Sequence, residues 1–415
     1  MIRRTTSLLT ILLIVPAIHA DEPKKEAVFP RFEMQEIAKD LGVGYAVLLV
    51  DVNGDGKKDI VVVDQKRVVW YENPTWKRRI IIENQTKPDN VCIAAYDIDG
   101  DGQIDFALGA DWRPFDTKSG GTIQWLKRGK TLDEKWTVYP IGEEPTVHRM
   151  RFVDIDGSGK PHLIVAPLMG RNSTQQANWM DGSPARILAF KIPKDPTKDR
   201  WEPEVINESM HVVHNIWSSN NSDLPPAIIH TASYEGVGFF SKNKFSKNRW
   251  VWLRMNQGNQ DVSKSSRGAS EIKSGHMESF GPFFATIEPW HGHQVVVYLL
   301  PRHPGESYTR QIIDSALKWG HAVWCADLDG DKNDELIIGV RDDKSDKPGE
   351  RRGVRLYKAI DDKGMKWARH ILDDGGIAVE DLAAADLDGD GRIDIVAVGR
   401  QTHNIRIYWN KGVKK

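Results

Sequence analysis

Four acidic loops carry side-chain oxygens at the spacing that a hard cation needs. In WGHAVWCADLDGDKNDELIIG, from Trp319 to Gly339, a short apolar strand enters such a loop and a second apolar strand leaves it. The candidate ligands are Asp51, Asn53, Asp55 and Asp59; Asp97, Asp99, Asp101 and Asp105; Asp327, Asp329, Asp331 and Glu335; Asp386, Asp388, Asp390 and Asp394. Ca²⁺ prefers several carboxylate and carbonyl oxygens around a tight glycine turn. We therefore expect structural calcium in these four loops.

A fifth loop of the same kind is expected to bind no cation. It begins at Asp154, but Ser158 and His162 replace two of the acidic residues. The alternative for all five loops is that the carboxylates only stabilise solvated turns.

Histidine recurs at one point of this repeating pattern. Counting back six residues from the first loop aspartate gives Tyr45, Val91, His148, His321 and Glu380 in five repeats, and the strand pattern places His214 and His276 at the matching point of two more. The chain has only 13 histidines, so this recurrence favours a function. Converging imidazoles with a carboxylate suit Zn²⁺, and a catalytic zinc commonly keeps three protein ligands and one open position. The alternative is that the histidines line a polar channel and bind water.

Aromatic, arginine and acidic side chains follow the second strand of most repeats, as in sites that bind sugars. They are Asp111, Trp112 and Arg113; Arg171 and Trp179; Tyr234 and Glu235; Trp290 and His291; Arg341; Arg400 and His403. From this set we predict Arg113, Arg171, Tyr234, Glu235, Trp290, His291, Arg341 and Arg400 as carbohydrate-binding residues.

Seven repeats of about four strands position these side chains. Successive repeats begin near Tyr45, Val91, His148, His214, His276, Trp319 and Glu380. The last repeat lacks a closing strand, and the stretch Phe32 to Ile37 supplies one. Pairing the first strand with the last repeat closes a ring and leaves only short edges. We predict an all-β fold, a seven-bladed β-propeller; a straight solenoid is the alternative.

Composition and the N-terminal residues indicate which partners and which location to expect. The 415 residues have a net charge of −1 and 40% hydrophobic content, which argues against nucleic-acid binding. Residues 1–20 predict a signal peptide with Arg3 and Arg4 before an apolar run. A short linker over 21–29 and one propeller domain over 30–415 follow. No later stretch approaches the roughly 20 apolar residues of a membrane span, so we expect an exported protein, periplasmic or extracellular.

The DxDGDGxxD loops resemble FG-GAP or VCBS repeats, which imply a propeller and calcium. HRMRFVDIDGSGKPHLIVAPLMGR, ATIEPWHGHQVVVY and WGHAVWCADLDGD are similar to the propeller domain of aldos-2-ulose dehydratases. That resemblance implies a catalytic zinc and dehydration of keto sugars such as 1,5-anhydrofructose. The cupin and lectin modules of that family have no counterpart in these residues, so isomerase activity is not implied.

The resemblance and the residues together predict a mechanism. Zinc held by His214, His276 and His321 would activate a sugar ketone. His148 would act as the general base, and Glu380 would complete the metal shell or orient a ligand. Two other classes stay open: a non-catalytic, calcium-stabilised adhesion propeller, and a polysaccharide lyase acting on uronates.

Overall fold

The structure, a computed structural model, describes residues 27–219, 227–243, 249–261, 266–301, 303, 306–341 and 345–414. In that part of the chain, 28 β-strands form seven four-stranded antiparallel sheets. Within the same residues the chain forms strands joined by turns and loops, and it forms no helix. The fold is therefore all-β, as predicted.

Each sheet is one blade, and the strands run outward from the centre of the ring in chain order. Blade 1 contains β2 (Ala46–Val50), β3 (Asp59–Asp64), β4 (Arg67–Glu72) and β5 (Lys77–Glu83). Blade 2 contains β6 (Cys92–Tyr96), β7 (Asp105–Ala110), β8 (Thr122–Lys127) and β9 (Thr137–Glu143). Blade 3 contains β10 (Val147–Val153), β11 (His162–Pro167), β12 (Ala185–Lys191) and β13 (Pro203–Met210).

Blades 4 to 6 follow the same order, and blade 7 takes its outer strand from the N-terminus of the chain. Blade 4 contains β14 (Val213–Ser219), β15 (Ile228–Ser233), β16 (Gly236–Asn243) and β17 (Arg249–Asn256). Blade 5 contains β18 (Ile272–Met277), β19 (Gly281–Glu288), β20 (Gln294–Leu299) and β21 (Thr309–Asp314). Blade 6 contains β22 (Gly320–Ala326), β23 (Glu335–Val340), β24 (Gly353–Ala359) and β25 (Trp367–Ile371). Blade 7 contains β26 (Val379–Ala385), β27 (Asp394–Gly399), β28 (Ile405–Asn410) and β1 (Phe32–Ala38).

The seven inner strands close a ring around a central channel. Each inner strand contacts the next, from β2 through β6, β10, β14, β18, β22 and β26, and β26 contacts β2 again. The predicted closure by the N-terminal strand is confirmed, because β1 pairs with β28 from Phe32–Asn410 to Glu36–Arg406. The fold is therefore a seven-bladed β-propeller.

The second strand of most blades is buried along its whole length. All six residues of β3, β7, β23 and β27 are buried. Neighbouring blades cover both faces of each sheet, which explains why these strands are apolar runs such as DIVVVD and ELIIGV instead of alternating patterns.

A β-bulge marks the second residue of four inner strands. The pairing shifts between Val147 and Arg149, Val213 and Asn215, Gly320 and Ala322, and Val379 and Asp381. The residues left out of the ladder are His148, His214, His321 and Glu380. A bulge redirects the side chain of its extra residue, so the same local irregularity presents all four groups at one end of the channel, which we call the upper face.

The expected register of the fifth repeat is wrong. His276 was expected at the point equivalent to His214, but it is the fifth residue of β18 and pairs with Pro282 near the opposite end of the strand. Glu271, directly before β18, holds that place. The error arises because β18 and β19 are joined by a short turn without an acidic loop. The strand pattern therefore has no marker for the start of the inner strand, and it assigns His276 to the wrong end of it.

The predicted signal peptide, residues 1–20, and most of the predicted linker lie outside the described residues. Among the described residues, no helix has the length and apolar character needed to cross a membrane.

Candidate functional site

The acidic loops lie at the lower face, opposite the bulges, and their first aspartates hold the loop backbone. Asp51 accepts hydrogen bonds from the N–H groups of Gly54 (2.7 Å) and Gly56 (2.8 Å), and Asp327 and Asp386 repeat the pattern. The carboxylate that ends the first loop, Asp59, is buried and accepts from the backbone N–H of Val52 and of Asn73. The first and last carboxylates of these loops therefore stabilise the turn through hydrogen bonds to backbone N–H groups.

The loops nonetheless concentrate negative charge. Burial, opposed in part by backbone hydrogen bonds and reinforced by neighbouring aspartates, raises the pKa of Asp59, Asp105 and Asp394 to about 6. Three groups place one oxygen per residue within 4.8 Å of one another: Asp97, Asp99 and Asp101; Asp327, Asp329 and Glu335; Asp386, Asp388 and Asp394. A cation would relieve this repulsion.

In two loops a lysine already stands among the carboxylates. Nζ of Lys358 contacts Asp329, Asp331 (2.8 Å) and Glu335 (3.0 Å). Nζ of Lys127 contacts Asp99 and Asp101 in blade 2. The corresponding positions in blades 1 and 7 are Glu72 and Trp409, since Ile60 pairs with Tyr71 and Ile395 with Tyr408. The four loops are therefore not equivalent.

A cavity of about 630 Å³ opens at the upper face. Its lining includes the bulge residues His148, His214, His321 and Glu380, together with Tyr45 and Val91 at the equivalent points of blades 1 and 2. The volume lies within the range typical of small-molecule sites.

Three histidines form the centre of the cavity. His214, His291 and His321 each offer one ring nitrogen, and these atoms all lie within 4.8 Å of one another. Nε2 of His291 is 2.9 Å from Nε2 of His214. His291 comes from the turn between β19 and β20 and has a φ of 51°. It was predicted as a carbohydrate-binding residue, and the count along inner strands could not identify it as part of the histidine group.

Hydrogen bonds fix the orientation of the inner-strand histidines. Nδ1 of His148 donates to the carbonyl oxygen of His214 (3.0 Å), and Nδ1 of His321 donates to that of Glu380. Nδ1 of His214 donates toward the carbonyl of Ser270 (3.2 Å) and the carboxylate of Glu271 (3.1 Å). A carbonyl oxygen can only accept, so each Nδ1 carries the hydrogen and each Nε2 is left with its lone pair. This is the tautomer that metal-binding histidines need.

Burial also keeps these imidazoles neutral. It lowers the pKa of His291 and His321 well below the usual value, with further lowering from neighbouring positive or imidazole groups. Burial lowers the pKa of His214 as well, although the hydrogen bond with Glu271 opposes this. Neutral nitrogen donors on three converging side chains fit Zn²⁺.

His148 lies beside this group in a different environment. Its ring is 4.8 Å from that of His214, and its Nε2 accepts a hydrogen bond from Nη1 of Arg149 (3.0 Å). Burial lowers the pKa of His148, so the ring is a neutral base. Arg149 in turn is paired with Glu271 (3.2 Å). Neither Arg149 nor Glu271 was predicted as a site residue.

Glu380 is held by two arginines. Its carboxylate accepts from Nη1 of Arg341 (3.0 Å) and Nη1 of Arg400 (2.8 Å), and one oxygen lies 3.9 Å from Nε2 of His321. The predicted residues Arg341, Arg400 and Glu380 are thus brought together at the edge of the histidine group.

Other predicted residues are not brought to the cavity. His276 is exposed, and its backbone N–H donates to Asp334 at the lower face (2.8 Å). Three further predicted residues do not line the cavity, because each forms an ion pair elsewhere. Arg113 pairs with Asp111 and Asp116. Arg171 pairs with Glu144, and Glu235 pairs with His211.

Aromatic side chains form the remaining side of the cavity. We call Trp112, Phe115, Trp179, Tyr234 and Trp290 the aromatic wall; all five line the cavity. Tyr234 and Trp290, which were predicted as sugar-binding residues, meet edge to face with centroids 5.7 Å apart. Trp290 also approaches His214 and His291, at 6.0 and 4.9 Å.

The comparisons with known proteins agree with this fold. Residues 51–108 and 327–397 match the FG-GAP-like repeat, and residues 120–300 match the β-propeller domain of aldos-2-ulose dehydratase. The chain is a seven-bladed propeller with FG-GAP-like repeats that resembles the propeller domain of that dehydratase.

A curated relative supports the same resemblance. Aldos-2-ulose dehydratase of Phanerodontia chrysosporium is 24% identical over 307 residues, covering 67% of this chain and 32% of the relative. The chain therefore spans about a third of the length of the relative.

Solved structures share the fold alone. A chain of BBS1N in complex with ARL6DN has a TM-score of 0.52 at 13% identity, covering 92% of this chain and 97% of its own. A chain of the mitotic checkpoint complex has a TM-score of 0.57 at 10% identity, covering 97% and 98%.

Proposed function

We propose that the protein is an exported carbon–oxygen lyase of the dehydratase type, which eliminates water or an alcohol from a keto sugar in the upper cavity. The observation that carries the proposal is the convergence of His214, His291 and His321, with neutral imidazoles, in a cavity that also holds a separate base. The similarity to a dehydratase supports this class.

His214, His291 and His321 would hold zinc, and His291 takes the place first expected for His276. When bound there, zinc supplies Lewis-acid activation of a ketone oxygen. Glu380 and its two arginines lie beside this group and would orient the sugar hydroxyls.

Proton transfer and charge stabilisation are assigned to His148 and Arg149. Nε2 of His148 exchanges its hydrogen bond from Nη1 of Arg149 (3.0 Å) for the substrate and accepts the proton from the carbon next to the ketone. The released guanidinium of Arg149 stabilises the negative charge that develops on the ketone oxygen. The bond from the β-carbon to its oxygen breaks as the carbon–carbon double bond forms. His148 then returns the proton to the departing oxygen, so water or an alcohol leaves and an enone remains.

The test combines metal analysis with a search for the product. Purified protein should contain one zinc per chain, distinct from any calcium, and 1,5-anhydrofructose or methyl 3-keto-glucoside should yield an enone with ultraviolet absorbance. Absence of a transition metal, together with no enone from either sugar with or without added zinc, would replace the proposal with a calcium-stabilised binding propeller.

A further inference from the structure

The cavity at the upper face has two chemically different sides. Arg341, Glu380 and Arg400 come from blades 6 and 7 and form a charged side. The aromatic wall comes from blades 2 to 5. The histidines lie between the two sides, since His148 contacts Trp112 (5.3 Å) while His321 lies next to Glu380 (3.9 Å).

The aromatic wall extends from the histidines to the mouth of the cavity. Trp179 and Tyr234 are 5% and 2% exposed and belong to one apolar cluster with Leu168 and Met169. Phe115 stacks beside Trp179 at 6.2 Å and 25°, yet it is 72% exposed. The wall therefore presents a flat apolar face that a ligand at the mouth could cover.

A keto monosaccharide does not account for this surface. Its hydroxyl and carbonyl groups match the charged side, and its reacting carbons must lie at the histidines. Nothing in such a substrate would cover the exposed ring of Phe115 at the mouth, whereas ligand sites commonly bury most of the ligand against apolar and aromatic side chains.

We propose, on the basis of the function proposed above, that the substrate is a keto-glycoside whose leaving group carries a second ring that stacks on the aromatic wall. The proton next to the ketone passes to His148, the bond from the anomeric carbon to the glycosidic oxygen breaks, and that oxygen takes the proton. The products are a sugar enone and the free alcohol; no oxidant or reductant is needed.

The test compares leaving groups of similar basicity but different shape. Methyl and benzyl 3-keto-β-glucoside are assayed for enone formation, with a 3-keto-disaccharide as a third substrate. We expect the KM for the benzyl substrate to be about tenfold lower than for the methyl one, because aromatic contacts contribute on this order. A preference for the disaccharide over the benzyl compound would identify the second ring as a sugar and not an aryl group.

Two variants test whether the aromatic wall causes the preference for the benzyl substrate. Phe115→Ala should reduce the benzyl-to-methyl ratio of kcat/KM about fivefold, mainly through KM. Met34→Ala is the matched control, because Met34 is also an exposed apolar side chain (52%) but lies on β1. Equal kcat/KM for all three substrates would overturn the inference while the proposed function stands.

A binding experiment keeps the two proposals separate. Benzyl and methyl β-glucoside lack the ketone and cannot react, and their affinities can be measured by tryptophan fluorescence. Tighter binding of the benzyl compound, reduced by Phe115→Ala, supports the aromatic subsite even if no keto sugar is turned over. If that compound binds no more tightly than the methyl one, the aromatic subsite is excluded. The proposed function fails as well only if no enone forms and the protein contains no transition metal.

Discussion

Nδ1 of His214 lies 3.1 Å from the carboxylate of Glu271, the residue that takes the equivalent place in the next blade. Burial opposes ionisation of Glu271, but the hydrogen bond from His214 and the nearby Arg149 and Lys273 outweigh it and lower its pKa to about 2. The ionised carboxylate thus orients a candidate metal ligand from outside the cavity.

Glu271→Gln should weaken zinc binding by roughly 10- to 100-fold, the usual effect of losing such a partner. The substitution also leaves Arg149 and Lys273 without their carboxylate, so some loss of stability is expected. Zinc affinity by competition with a chelator, measured where the variant is still folded by circular dichroism, checks the prediction. An unchanged affinity would remove Glu271 from the metal site.

The three histidine positions can be separated by alanine variants. His291→Ala should lose zinc and activity together, whereas His148→Ala should keep zinc and lose activity by roughly 10²- to 10⁴-fold, as for a general base. His276→Ala is the control, since this exposed residue lies at the lower face. Zinc content and enone formation are the measurements; loss of zinc in His276→Ala alone would restore the original assignment.

The acidic loops should differ in calcium affinity. Lys358 occupies the loop of blade 6 as an internal cation, so Lys358→Met should make the melting temperature more dependent on calcium. At 100-fold excess over Kd the stabilisation would be about 3 kcal/mol. Lys347→Met, at an exposed lysine outside the loops, should match the wild type. An identical calcium dependence in all three proteins would count against a site in this loop.

Removing the closing strand should destabilise the whole ring. A chain starting at Lys39 lacks β1 and loses the contacts of Glu36 with Asn404 (2.8 Å) and Arg406 (3.0 Å). Loss of a paired strand exposes an edge and should cost several kcal/mol, or roughly 10 °C in melting temperature. A chain starting at Ala27 is the reference, and equal melting temperatures would show that β1 is dispensable.

Acid should destabilise the protein through His230. Burial lowers the pKa of His230 to about 4, and its ring packs on Phe284 at 4.4 Å. Because the unfolded chain binds this proton near pH 6.5, stability is lost as pH falls from 6.5 towards 4, by about 2 kcal/mol at pH 5.

His230→Phe should therefore lose less stability than the wild type between pH 7 and pH 5. His303→Phe is the control, because His303 is exposed. Urea unfolding at the two pH values measures the difference. Equal pH dependence in the wild type and His230→Phe would contradict a neutral buried imidazole.

The sequence predicts the ring well and the centre of the site less well. Acidic loops of constant length follow most inner strands, so His148, His321 and Glu380 are found by counting, and the strand pattern finds His214. Blade 5 has no such loop, which hides Glu271. His291 reaches the site from a turn with positive φ, and no strand periodicity reports where such a turn directs its side chain. Arg113, Arg171 and Glu235 have suitable chemistry, but local ion pairs, which the sequence pattern does not specify, hold them elsewhere.

The pairing of β1 with β28 also sets an order of events during synthesis. Gln35 and Trp409 are in contact across 374 residues, and at about 5–20 residues per second the ribosome needs roughly 20–75 s to make the intervening chain. During that time blades 1 to 6 can pair internally, but β1 has no partner strand. Blade 7 is therefore completed only when β1 pairs with the newly made β28. At this step β1 of a second copy of the chain could pair with β28 instead.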